Sequence, residues 1–416
     1  MSLTVRRYVA LVMVLFAGIG PYAAVSAQDD ATQRRFDLIE RETAELRGLP
    51  IQQEIDVTFK TPAQLRAELE RDVDTDYPPE QSAKDERVLS AFGLIPQETD
   101  LSRLYVDLRS EQVAGYYNTE TGEMVVIRSE DDGDVLSASQ EITYAHEVVH
   151  ALQDQNLSID ESIAALDEAT DDESLATLAL IEGDATVAQS EYLADRPGLL
   201  VRLTAELMTA EFSSDQLESA PPIIRESLLF PYDHGASFVS ALREEGGWNR
   251  VDEAYASLPS STEQILHPEK YLNDEQPVSV ELREITSSLG GDWTEVDDGT
   301  FGEFQIDVLL GGQEQSAETA EAAAAGWGGD RYRIATNQDQ TAIVWSSIWE
   351  SSTDAQEFAD SLTVYDEQRF DAQRQAGANA GTVNLAGDGV FSRIIVEGEQ
   401  VTYVQAPDEV TASLLA

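Results

Sequence analysis

The chain has 416 residues, with 79 acidic side chains against 26 lysines and arginines, a formal net charge of −53 and a pI near 4.1. Such a field repels nucleic acid and anionic membrane surfaces, so neither is an expected partner. There is no cysteine, which excludes disulfides and thiolate metal sites and leaves histidine and carboxylate to hold any metal. The acid is spread along the whole chain, and the only lysines are Lys60, Lys84 and Lys270. This composition fits a halophilic protein, because molar salt screens most self-repulsion within a few ångströms. The length points to two or three domains.

The N-terminus has the form of an export signal over residues 1–27. Arg6 and Arg7 precede an apolar stretch over 8–24, and Val25-Ser26-Ala27 is a small-residue cleavage site. The rival reading is an uncleaved membrane anchor, since the stretch is just long enough to span a bilayer. A helix is expected over 32–47, stopped by Gly48-Leu49-Pro50. Alternation of Ile55, Val57 and Phe59 marks a strand over 55–60. Thr61-Pro62 opens a helix that runs to about residue 73, and a further helix covers 80–92. Strands over 113–117 and 123–127 flank a turn at 118–122. That hairpin is either an ordinary pair within a sheet or the source of an edge strand that holds an extended peptide by β-addition.

Ser137 or Ser139 caps the next helix, expected over 138–154, and this helix carries His146-Glu147-Val148-Val149-His150. Histidines four apart lie one turn apart on one helix face, so both imidazoles reach one cation. Glu147 sits beside that cation, placed to take a proton from a metal-activated water; this is the H-E-x-x-H arrangement of zinc metallopeptidases. The chain has four histidines, and the motif holds two of them.

A polar loop with Asp171-Asp172-Glu173 leads to a helix over 174–192, whose Leu175, Leu178, Ile181 and Ala185 form an apolar face. Glu182, an acid inside this apolar helix, is the expected third ligand, because an unpaired buried carboxylate is costly. Gly183 beside it allows two helices to come close around the metal. Asp184 is the rival ligand, on nearly the opposite side of the helix. Asp154, one turn after His150, is either an acceptor that orients that histidine or a surface acid. The oxyanion of the transition state needs a further donor, for which His267, His234 and Tyr232 are the candidates, His267 first among them.

Helices follow over 199–212, 223–229 and 234–244, then a short one to residue 257 after Gly246-Gly247-Trp248. From residue 278 strand-like pieces (303–309, 331–335, 341–345, 392–396, 400–405) alternate with alanine-rich helices (317–325, 353–362), a separate α+β domain over 278–416.

Together these residues resemble the gluzincins, zincin-fold metallopeptidases with two histidines and a glutamate on zinc. The resemblance implies an α+β zincin-like domain over 28–277, with a small sheet before the active-site helix and a second helix bearing the third ligand. It implies Zn2+ on His146, His150 and Glu182, with Glu147 as general base. Many gluzincins place an acid four residues after the ligand glutamate; here that position is Thr186. A narrower resemblance, carried by HEVVHALQDQ (146–155), IEGDA (181–185), the 231–235 stretch, STEQILHP (261–268) and GWGGDRY (326–332), is to uncharacterised haloarchaeal surface proteins, and implies a cell-surface location. The expectation is an exported halophilic zinc peptidase acting on protein or peptide substrates, cell-envelope proteins among them, and touching the membrane only through its N-terminal segment if that stays uncleaved. The alternative is a surface binding or structural protein whose zinc site is structural or vestigial.

Overall fold

Capping chemistry decides where the site-bearing helices begin. Ser137 accepts from the Gln140 amide while the Gln140 side chain accepts from the Ser137 amide, and Thr170 with Glu173 repeats the exchange. The computed structural model describes residues 30–128, 136–166, 169–209, 215–312, 315–338, 340–376 and 379–416. The expected signal, 1–27, and the end of the helix expected over 199–212 lie outside the described residues. Among the described residues no helix is long and apolar enough to cross a membrane.

The architecture is mixed α+β, a largely helical region followed by a sheet region. The first region runs α1 (Asp30–Arg47), β1 (Asp56–Lys60), α2 (Pro62–Asp76), α3 (Pro79–Ala91), α4 (Leu101–Gln112), β2 (Gly115–Asn118), β3 (Glu123–Ile127), α5 (Ala138–Leu157), α6 (Ile159–Ala165), α7 (Asp171–Ala194), α8 (Pro197–Thr209), α9 (Asp215–Ser219), α10 (Pro222–Gly246), α11 (Trp248–Tyr255), α12 (Thr262–Leu266) and α13 (Pro268–Leu272). The second runs α14 (Thr286–Leu289), β4 (Thr294–Gly299), α15 (Gly302–Gly311), α16 (Ala317–Ala324), β5 (Trp327–Asn337), β6 (Gln340–Trp349), α17 (Ser352–Arg369), β7 (Gln373–Arg374), β8 (Thr382–Gly387), β9 (Val390–Glu397), β10 (Gln400–Ala406) and α18 (Glu409–Leu415).

The small sheet has the order β1-β3-β2, with β1 parallel and β2 antiparallel to β3, so β2 is an edge strand. Phe36 and Ile39 of α1 and Val148 and Leu152 of α5 share one core with Met124 and Val126 of β3. As a result α5 is buried on all sides from Glu141 to Gln153, which puts the H-E-x-x-H turn inside the molecule. The large sheet is antiparallel throughout, in the order β4-β5-β6-β10-β9-β8-β7. One face packs on α15, α16 and α17 (Ile306, Ala320, Phe358); the other packs on α14 and α18 through Val344, Phe391, Val404 and Ala412. The core under the first face is continuous with the helical region, since Tyr77, Val88, Phe92 and Ile223 belong to it, and the Phe92 ring meets Phe301 edge-on at 4.6 Å.

Buried carboxylates tie distant segments together within each region. Asp330 accepts from the backbone amides of Phe301 and Gly302 and from the indole N–H groups of Trp327 and Trp345. Asp172, in the first turn of α7, accepts from the Thr262 amide and hydroxyl. Gly302, at φ +77°, lies so close to Asp172 that a Cβ there would meet its carboxylate at 1.8 Å.

Three expectations about elements need correction. Residues 223–229 and 234–244 form one helix, α10, with Pro231 inside it. A helix-interior proline costs about 3 kcal/mol, but Phe230, Pro231, Gly235 and Phe238 are all buried, and that burial outweighs it. The strand-like run 303–309 lies in helix α15, because Asp330 holds the amides at its start and Gly302 supplies the turn into it; a short apolar run alone does not distinguish the two states. Asp171-Asp172-Glu173 is the first helical turn of α7, where acids suit the exposed amides. The sequence reading also passed over α4, α6, β4, β7 and β8, although Asp100 caps α4 through the Arg103 amide in the ordinary way.

Candidate metal centre

α5 and α7 bring three side chains to one point. His146 Nε2 lies 3.1 Å from His150 Nε2 and 3.1 Å from Glu182 Oε2, and His150 Nε2 lies 3.4 Å from the same oxygen. All three residues are at most 3 % exposed. Ligands about 2.0–2.1 Å from a tetrahedral ion stand roughly 3.3 Å apart, and these separations match that figure.

The tautomers point the same way. Three acceptors, Ile181 O, Asp184 Oδ2 and Tyr255 OH, surround the two hydrogens of Gln153 Nε2, so the end of its amide that faces His150 Nδ1, at 2.8 Å, is Oε1. Nδ1 must therefore donate, and a neutral His150 turns the lone pair of Nε2 toward Glu182 and His146. Two imidazole nitrogens and a carboxylate converge there, a donor set that either a cation or a proton shared with Glu182 can bridge. Burial would lower both histidines, yet the Glu182 carboxylate overcomes it at His150 and pushes that imidazole up to about 9, while His146 stays below its ordinary value. Burial would raise Glu182, but His150 and His146 hold it below the usual carboxylate range. The donor set fits a small tetrahedral cation.

Glu147 faces the outer edge of the small sheet. Its Oε2 accepts from the backbone N–H of Tyr117 in β2, at 2.9 Å, and its Oε1 is buried without a hydrogen-bond partner among the described residues. Burial pushes the carboxyl up to about 8.

The other candidates fall in different places. Asp184 turns away from the cluster and pairs with Arg47, whose Nε and Nη2 donate to it at 2.6 and 3.0 Å, and it also accepts from Tyr255 OH at 2.8 Å. Arg47 in turn donates to Asp252 and stacks on Trp248. Asp154 accepts from Tyr117 OH at 2.7 Å, so the partner of His150 is Gln153. Gly183 does permit a close approach, but of α10: a Cβ there would lie 2.2 Å from the backbone of Gly235, and one on Gly235 would lie 2.2 Å from Ala179 O. That crossing carries Tyr232 toward the cluster, its ring 6.2 Å from that of His146.

The structure does not bring the other two histidines there. His234 is exposed and stacks on Phe230 at 5.0 Å. His267 pairs with Glu303 at 2.9 Å, and its segment is tied through Thr262 to Asp172, ten residues and about 15 Å along α7 from Glu182. Gln153, Arg47, Tyr255 and Tyr117 are the site residues that the sequence reading missed. For Gln153 a signal existed, three residues after His150 on the same helix face; for Arg47, 137 residues from Asp184, there was none.

A family model described as a domain of unknown function, DUF8575, matches residues 289–415, the sheet region, and the match includes none of His146, Glu147, His150 and Glu182. No curated protein and no solved structure matches the chain.

Proposed function

We propose that the chain is a zinc-dependent peptidase, exported and working in high salt. The observation that carries this reading is the convergence of His146, His150 and Glu182 at tetrahedral-ligand spacing, with Glu147 beside them. His146, His150 and Glu182 would hold the ion, which when bound supplies Lewis acidity toward a carbonyl and toward water. Gln153 keeps the His150 tautomer that leaves Nε2 free to ligate, and Arg47 with Asp184 keeps Gln153 in place. Glu147 accepts the proton of the attacking water at Oε1, the oxygen that Tyr117 leaves open, and returns it to the leaving amine. The outer edge of β2 runs past Glu147, which suits an extended peptide laid along it. The apolar 8–24 stretch and the charge of −53 support export and a saline setting.

Burial of the whole cluster favours a second reading, a surface protein with a structural zinc site, because a peptide must displace cover to reach Glu147. The test is metal content of residues 28–416 in molar salt, wild type beside His146→Ala, with casein cleavage on the same samples. Stoichiometric zinc, lost in the variant, with chelator-sensitive cleavage bears out the peptidase. Zinc without cleavage leaves the structural site, and a protein without zinc retires both readings.

A further inference from the structure

A cavity of about 230 Å3 opens beside Glu182 and Tyr232. Leu178, one turn before Glu182 on the same face of α7, lines it together with Leu104 of α4, Ile224 of α10 and Gln305 of α15. Its lining is mainly apolar, and its walls come from both regions of the molecule. An apolar cavity of about 150 Å3 accepts benzene, whereas pockets for drug-sized ligands begin near 300 Å3. The space therefore suits one large hydrophobic group. Glu182 belongs both to its lining and to the cluster, so a group seated in the cavity lies against one member of the cluster. The charge of −53 works against an acidic occupant.

We propose that this cavity receives one leucine- to phenylalanine-sized side chain of a peptide substrate, at a residue flanking the cleaved bond. This inference rests on the peptidase reading. It gives the sheet region a role in the reaction: α15, which lies within the stretch matched by DUF8575, supplies one wall and helps to set specificity although that stretch holds no member of the cluster.

The test uses the zinc-loaded full chain and peptides in which one position of a glycine–serine background is Phe, Leu, Ala or Glu, with cleavage mapped by mass spectrometry. Cleavage beside Phe or Leu is expected to exceed that beside Ala by ten-fold or more in kcat/KM. Leu178→Trp and Gln305→Trp, filling the cavity from two walls, are expected to lower the Phe-to-Ala ratio at least ten-fold, with thermal melting as the check on folding. Toluene is expected to bind the metal-free chain by ligand-observed NMR and to lose that binding in both variants. Cleavage with no side-chain preference overturns this inference and leaves the peptidase reading standing. Cleavage of no peptide overturns both. Toluene that binds the folded variants as well as it binds the wild type locates the apolar site elsewhere and also overturns the inference.

Discussion

Two buried carboxylates, Glu182 in the helical region and Asp330 in the sheet region, have opposite surroundings. Asp330 faces four N–H donors, two from the backbone at the start of α15 and two from indoles, so its hydrogen-bonding capacity is met by neutral groups of the protein. Glu182 faces two imidazole nitrogens, one of which Gln153 turns into an acceptor. The first arrangement is complete as it stands and joins two parts of the fold. The second gathers three groups that a cation or a shared proton can bridge. Burial of an acid thus says little about function; the protonation state of what surrounds it says much more.

The comparison is broken most sharply by removing the base next to Glu182 and the histidines. Glu147→Gln is expected to lower peptide cleavage by about 10²–10⁴-fold with zinc content unchanged, read by steady-state kinetics and elemental analysis on one preparation. Equal cleavage by the variant would falsify the peptidase assignment. Asp330→Ala strips a partner from four buried donors and is expected to cost about 3–5 kcal/mol of stability, read by denaturant unfolding, while zinc per folded molecule stays the same. A change in zinc stoichiometry there would show that the two carboxylates are not separate in role.

Asp366 is an intermediate case. Tyr403 OH donates to it at 3.0 Å, and burial pushes its carboxyl up to about 6. A folded pKa above the unfolded value means the native state holds the proton more tightly, so this group's contribution is fully present below the unfolded pKa near 3.8 and is lost as pH rises through about 6. At 1.36 kcal/mol per unit the loss is about 3 kcal/mol. The stability of the wild type relative to Asp366→Asn is expected to fall by that order between pH 4 and 7; a flat difference would rule the group out as the source. Gly183→Ala drives a methyl into the Gly235 backbone and is expected to cost about 1–3 kcal/mol and to shift Tyr232 relative to His146. A variant as stable as the wild type would mean that the α7–α10 crossing can open without loss.

Sequence reasoning succeeded where the governing interactions were short in range. The one-turn spacing of His146 and His150, the helix starts at Thr61 and Ser137, and the hairpin over 113–127 all depend on residues within a few positions of one another. It failed at Pro231, where packing on α7 overrode a local break, and over 303–309, where Asp330, more than twenty residues onward, holds the start of the helix. It also assigned Gly183 to the wrong neighbour, because a glycine announces that something comes close without naming what does.

By itself, then, the sequence determined a helix with two imidazoles and a base on adjacent faces, a charge that suits molar salt, and the absence of any thiolate ligand. Only the tertiary structure decided that Glu182 meets the histidines while Asp184 is taken by Arg47, that Gln153 sets the His150 tautomer, and that the sheet region walls a cavity at the cluster. Spacing along a helix is local geometry, whereas the partner of a buried charge is set by which distant segment packs against it.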